Sequence, residues 1–382
     1  MESNNSPIIS TVIEFSGLLL GLIKVRENLL RNVLWNISLL IYAVYLGVWA
    51  YYYVYSNHNS EKTADYEGVF KYATQFCRMV ELAQVTFRIT WYRIKAKPMK
   101  MLLDEMEKRK MGIRSFITIE NFHFVPIFSI FIGVIILEHI YFYHFENKEL
   151  YTLMWVYPLM LMILEYFVID EIIRHIRKKF RTLNNELIIL TESWILYDIY
   201  PGIKNQVLAE FFVRNVNEEI NRIHKLSTFH YDMMVHTQVL SQFFTVLFSG
   251  NMATMLCGII DACYNISHLP YNMNHWKPIF RSSSWVILQA YCAALIVNAW
   301  ESLKSEANKS ASILHDIWNK HSVENGTNRK MNYLRLVALR FSATKLNFTA
   351  HGLFPINRAL LHSMLTTVTT YVLILVQLKD VK

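Results

Sequence analysis

The sequence predicts an all-α membrane protein of seven transmembrane helices, with a cytoplasmic N-terminus and an extracellular C-terminus. Three observations carry this. Of the 382 residues, 53% are hydrophobic and only 18% charged, fewer charges than soluble domains have. Apolar stretches of about twenty residues recur along the chain, enough for a helix to cross a hydrocarbon core about 30 Å thick. Lysines and arginines collect in alternate connections, as cytoplasmic loops require. The formal charge of +8 is the excess those loops produce, so no nucleic-acid partner is expected.

Residues 1–32 read as a cytoplasmic N-terminal segment. Its apolar patch, Phe15 to Ile23, is too short for a span, and no small-residue cleavage site follows, so no signal peptide is expected. The first span runs from Val33 to Tyr55, with Tyr51, Tyr52 and Tyr53 as an interfacial aromatic belt. The second, Val69 to Tyr92, carries Lys71, Arg78, Glu81 and Arg88. Charges inside a span face a protein interior, a cavity or one another; Arg78 and Glu81, three apart, can pair on one helix face. The third span is Phe122 to Phe145 and the fourth Tyr151 to Ile173.

Residues 174–231 hold few prolines, and apolar residues recur at three- and four-residue spacing. The fourth and fifth helices are therefore expected to continue into the cytoplasm there. The fifth span is Met234 to Tyr264, an outer loop runs from Asn265 to Arg281, and the sixth span is Ser284 to Leu303. Residues 33–303 thus form a six-span bundle. Residues 304–356 hold a polar segment, Lys304 to Lys330, then a helix from Met331 to Phe348; residues 357–382 are the last span and the extracellular end. No internal repeat is evident, which weakens the case for a transporter built on inverted repeats.

Charge orients the bundle. Arg93, Lys95, Lys97 and Lys100 follow the second span, and Arg174, Arg177, Lys178, Lys179 and Arg181 follow the fourth. The connections after the first, third and fifth spans hold Lys62; Lys148; and Lys277 with Arg281. The even-numbered connections are therefore cytoplasmic. The sequon at Asn265 falls in an outer loop and is a glycosylation candidate; those at Asn308, Asn325 and Asn347 fall inside. Cys77, Cys257, Cys263 and Cys292 have no CxxC spacing, so neither a zinc site nor a disulfide scaffold is implied, and no cofactor is expected.

The last span carries the most pointed signal. Arg358 and Lys379 bracket an apolar stretch in which Ser363, Thr370 and Gln377 recur every seven residues, with Thr366 and Thr367 between them. They form one stripe along a helix face. A stripe of hydroxyls and amides in a span meets another helix or water. Running nearly end to end, it suits a helix lining a channel.

Thr370-Tyr371, five apolar residues and Gln377 resemble the C-terminal signature of insect gustatory receptors, and Gly352-Leu353-Phe354-Pro355-Ile356-Asn357 resembles the turn that precedes it in that family. Leu378 stands where the family usually has Phe. The resemblance implies a homotetrameric, ligand-gated, non-selective cation channel in the plasma membrane of sensory neurons, with heteromers of related receptors left open. The last span of each subunit would line a central pore above an intracellular helical anchor. Gln377 and Leu378 would sit at the gate, with Ile374, Thr370, Thr367 and Ser363 along the passage. A ring of Leu378 side chains can close a pore by dewetting, and rotation could replace it with Gln377 amides. Tyr371 lies off the stripe, as a packing or coupling residue.

Short outer loops leave no extracellular binding domain, so a small tastant would bind in the outer half of the bundle. Candidates are Glu138 and His139 on the third span, Trp155 and Tyr157 on the fourth, Asp261 on the fifth, and Trp285 and Gln289, one turn apart, on the sixth. An aromatic wall with a few directed polar groups suits a polyol or an alkaloid. The family's sugar branch often carries Glu where Val372 stands, which leaves sugar-type and bitter-type ligands both open. A G-protein-coupled receptor is opposed by the charge-derived orientation, and a transporter remains as a further alternative. No HExxH set, nucleophile motif or glycine-rich phosphate loop is present, so an enzyme is not expected.

Overall fold

The computed structural model describes residues 40–51, 76, 79–95, 98, 101–102, 133, 148–198, 206–268, 276–325 and 329–380. These are almost entirely helical. Helix α1 is Leu40–Tyr51 and α2 is 79–95. Helices α3 (Lys148–Asp198), α4 (Gln206–His268), α5 (Trp276–Asn325), α6 (Arg329–Ala343) and α7 (Arg358–Asp380) follow. The third expected span lies outside the described residues apart from Gly133. Among the described residues, two helical stretches are long and apolar enough to cross a membrane, Ile220–Ile260 and Val286–Asn319.

Three boundaries differ from the sequence reading. Helix α4 runs on to His268 and α5 begins at Trp276, so Asn265 lies in a last helical turn rather than a loop. The polar stretch after Leu303 is helical to Asn325. Its polarity reflects which face is wetted: Leu303, Ala307, Ser310 and Leu314 are buried at three- and four-residue spacing while Ser305 and Lys309 are exposed. Helix α6 stops at Ala343, where the Thr344 N–H donates to the Arg340 carbonyl at 3.1 Å and the chain becomes extended.

The chain divides into two compact units. The first takes Met1–Glu171, Val246–Val297 and Arg358–Lys382. Its interior includes Tyr45, Val85, Tyr92, Ile163, Ile169, Phe248 and Leu288, and Tyr42 of α1 donates to Thr86 Oγ1 of α2 at 2.8 Å. The second unit takes Ile172–Thr245 and Asn298–Asn357. There Ile173, Ile176, Phe180, Leu183 and Leu187 of α3 are buried at alternating three- and four-residue steps, the period of an apolar helical seam. Leu183 and Leu187 join Ile223, Leu314, Leu334, Val337, Ala338 and Phe341 in one cluster. Each full burial of such a side chain contributes roughly 1.5–3 kcal/mol. Asn184, 1% exposed, ties α3 to α5 by donating to the Glu306 carbonyl at 2.9 Å and accepting from Ser310 Oγ at 2.5 Å.

Candidate functional site

Helix α7 spans 23 residues, about 34 Å at 1.5 Å per residue. Among the described residues, a narrow face of it packs on its own chain. Met364 is buried, and Leu360, Leu361 and Val368 on the same side are half-buried. Ser363, Thr366, Thr367, Thr370 and Gln377 are all exposed, on a face centred roughly 115° around the helix from Met364. Leu365, Tyr371, Leu373 and Ile374 are also exposed, between 45% and 66%. Apolar surface of that extent calls for cover by lipid or by further copies of the chain.

The hydroxyls have a defined arrangement. Ser363, Thr366, Thr367 and Thr370 each donate to the backbone carbonyl four residues earlier, at 3.0, 3.1, 2.9 and 2.9 Å. Each proton is thereby committed to the helix itself, and each oxygen keeps its lone pairs outward. The stripe is a column of acceptors, suited to water and to partly hydrated cations.

The segment before α7 is a tight hairpin. Thr349 and Pro355 form an antiparallel bridge. The Ala350 N–H donates to the Phe354 carbonyl at 2.9 Å, and the Ile356 N–H to the Phe348 carbonyl at 3.0 Å. At its tip His351 has φ 50° and Gly352 φ 79°, the left-handed region where only glycine is unstrained. Phe348, Ala350 and Ile356 are at most 3% exposed, and Phe348 lies 4.5 Å from the Trp300 ring. Asn308 holds the incoming strand, donating to the Leu346 carbonyl at 3.1 Å and accepting from its N–H at 2.9 Å. Its sequon amide is thus part of the fold.

Inside the first unit lies a second polar constellation. Arg88 of α2 and Glu165 of α3, 3% and 0% exposed, form an ion pair with Nε 2.9 Å from Oε2. Asn251 of α4, wholly buried, accepts from Gln84 Nε2 at 2.9 Å and from Arg88 Nη2, and its own Nδ2 donates to Glu165 Oε2 at 3.1 Å. Gly250 permits this approach: a Cβ there would stand 2.2 Å from Gln84 Oε1. Buried charges persist only where each is paired and hydrogen-bonded. Sequence reasoning singled out Arg88 but missed Gln84, Glu165 and Asn251. Glu165 could have been flagged, as a lone carboxylate within an apolar run.

The other expected site residues stand as follows. Gln377, Ile374, Thr370, Thr367 and Ser363 share the exposed side of α7; Leu378 lies on α7, its side chain outside the described residues. Gln289 of α5 is 5% exposed, with Oε1 unpartnered among the described residues. Trp155 and Tyr157 lie on α3, Asp261 on α4 and Trp285 on α5, and their side chains are outside the described residues. Glu138, His139 and Arg78 are wholly outside them. Glu81 is half-buried on α2.

Comparison with known proteins places this arrangement. The family profile described as 7tm Chemosensory receptor matches residues 16–382. Gustatory receptor 68a of Drosophila melanogaster is 26% identical over 177 residues, which cover 46% of this chain and 40% of that receptor. The match thus spans less than half of the curated relative. The olfactory receptor OR5 of Machilis hrabei superposes with a TM-score of 0.62 at 10% identity, covering 97% of this chain and 99% of that one. The same receptor in complex with eugenol gives 0.61 at 10% identity, covering 96% and 98%. These likenesses show a shared helical fold. The profile covers nearly the whole chain, which therefore belongs to the 7tm chemosensory receptor family, whose members are receptors rather than enzymes.

Proposed function

We propose that the protein is a gustatory receptor of the plasma membrane of sensory neurons, a non-selective cation channel opened by a small tastant. Four copies would surround one pore, each giving it α7. The observation that carries this is the exposed polar stripe of Ser363, Thr366, Thr367, Thr370 and Gln377, turned away from the face packed at Met364. In a single copy that stripe is exposed among the described residues; in a four-fold ring it would face a shared axis. The apolar remainder of α7 would then meet neighbouring copies or lipid. Assembly is further supported by α6, where Leu336 and Leu339 are 64% and 56% exposed and Ala343, four residues on, is also exposed. That spacing is a seam for helix pairing.

The tastant would bind in the outer half of the bundle, near Gln289 and Trp285 of α5 together with Asp261, Trp155, Tyr157, Glu138 and His139. Gln289 has a buried, unpartnered oxygen to offer it. A small-solute transporter remains the alternative, with the charged second span as the place for a coupling ion; within it Arg88 is paired with Glu165.

The test is expression of the chain alone in cultured cells, with calcium imaging and patch-clamp recording against a panel of sugars and alkaloids. Tastant-evoked unitary openings are expected, without G-protein inhibitors affecting them. Gln377→Ala is expected to change unitary conductance or basal leak severalfold while leaving the order of tastant potency intact. Currents identical to wild type across the voltage range would remove α7 from the ion path.

A further inference from the structure

Helix α3 carries a second ordered stripe, made of cations. Arg174, Arg177, Lys178 and Arg181 stand at i, i+3, i+4 and i+7, one side of a helix. Arg177, Lys178 and Arg181 are exposed, whereas Ile173, Ile176, Phe180 and Leu183 on the other side are buried. Arg177, Lys178 and Arg181 have no side-chain hydrogen bond, ion pair or ring contact among the described residues; Arg174, half-buried, does have a partner. The nearest carboxylates on the helix are no neutralising set. Asp170 and Glu171 are 5% and 8% exposed, within the apolar stretch, and Glu186 is more than a turn farther on.

Position gives this stripe its meaning. The fourth span expected from the sequence ends at Ile173, which would put Arg177 to Arg181 about 6–12 Å beyond it along the axis. The interfacial layer on one side of a bilayer is about 5–7 Å deep. Arginine and lysine side chains are long enough to reach back into that layer. We propose that Arg177, Lys178 and Arg181 form a binding site for an anionic phospholipid headgroup of the inner leaflet, phosphatidylserine being the abundant case. The guanidinium groups take the phosphate and carboxylate oxygens in pairs, and the lysine supplies a third positive charge. A soluble acidic peptide fits less well, since the stripe begins at the hydrocarbon edge. The inference rests on the cytoplasmic placement of this end of α3 and is independent of whether the protein conducts.

The full chain is reconstituted in phosphatidylcholine vesicles containing a minor fraction of photo-crosslinkable phosphatidylserine, and labelled peptides are mapped by mass spectrometry. Labelling is expected within residues 174–185 of the unaltered protein, and to fall as salt is raised. The variant R177Q/K178Q/R181Q is expected to lose at least about ten-fold, since each juxtamembrane cation contributes roughly five-fold. R222Q/K225Q, which removes exposed cations of α4, is expected to label as wild type. Soluble glycerophosphoserine is expected not to compete. Labelling no greater than with photo-crosslinkable phosphatidylcholine, an unaffected triple variant, or displacement by the soluble headgroup would each overturn the lipid site. Labelling without tastant currents fails the channel reading alone; currents with no label at 174–185 fail the lipid site alone.

Discussion

Arg88 and Glu165 illustrate what a single buried contact demands. Neither side chain is more than 3% exposed, and Asn251 bonds to both. Removing one charge strands the other, at a cost of roughly 3–5 kcal/mol. Arg88→Ala is accordingly expected to lower the thermal unfolding midpoint of the detergent-purified protein sharply. R88M/E165M, which removes both charges, is expected to recover most of that loss. An Arg88→Ala protein as stable as wild type would show that the pair is not buried.

His230, in the other unit, is a neutral counterpart. It stacks on Phe341 at 3.9 Å, meets the edge of Phe180 at 5.7 Å, and its Nε2 lies 3.4 Å from the Ala307 carbonyl oxygen. Burial pushes its pKa down to about 4, against the bond to Ala307 and with help from the nearby Arg340 charge. A depressed histidine pKa means that the unfolded chain takes a proton before the folded one does. Stability is therefore full above pH ~6.5 and falls as pH drops toward 4, by about 3 kcal/mol in all. Chemical denaturation at a series of pH values checks this. His230→Phe is expected to flatten that slope; an identical slope in the variant would assign it to other groups.

Among the elements, the hairpin between α6 and α7 is the most constrained. Its three backbone bonds and its buried Phe348, Ala350 and Ile356 hold residues 348–356 in one shape. A side chain at Gly352 would meet no atom within 4 Å, so the obstacle is its φ of 79° alone. Gly352→Ala is expected to destabilise by about 1 kcal/mol. Gly352→Asn should cost less, and His351→Gly should relieve strain at φ 50°. Thermal stability by fluorescence-detected gel filtration ranks them; equal midpoints for all three would refute a conformational role. The sequence motif marked this turn, while the register of its bonds came only from the structure.

For the whole molecule, the exposed faces matter most. Helix α7 and the Leu336–Leu339 face of α6 each expose large apolar side chains that lipid or a further copy of the chain would have to cover. L336E/L339E is expected to shift the purified protein from an oligomer to smaller species in light scattering, with the cluster around Leu334 and Phe341 intact. An unchanged mass would exclude that face from assembly.

Local periodicity is what a sequence states directly. The helical class, the acceptor stripe of α7, the cation stripe of α3 and the glycine turn all follow from spacing within a few residues, because a helix repeats every 3.6 residues wherever it packs. The partners of Arg88 did not follow. Spacing favours Arg78 and Glu81 as a pair on one helix face, but Arg78 lies outside the described residues, so that pair stands as an expectation; among the described residues an ion pair joins Arg88 to Glu165 on another helix. Asn251 reaches Arg88 across 163 positions of chain. Such a meeting is set by which helices pack together and how closely, here with Gly250 leaving room for Gln84. That is a property of the tertiary structure, which no window of sequence contains.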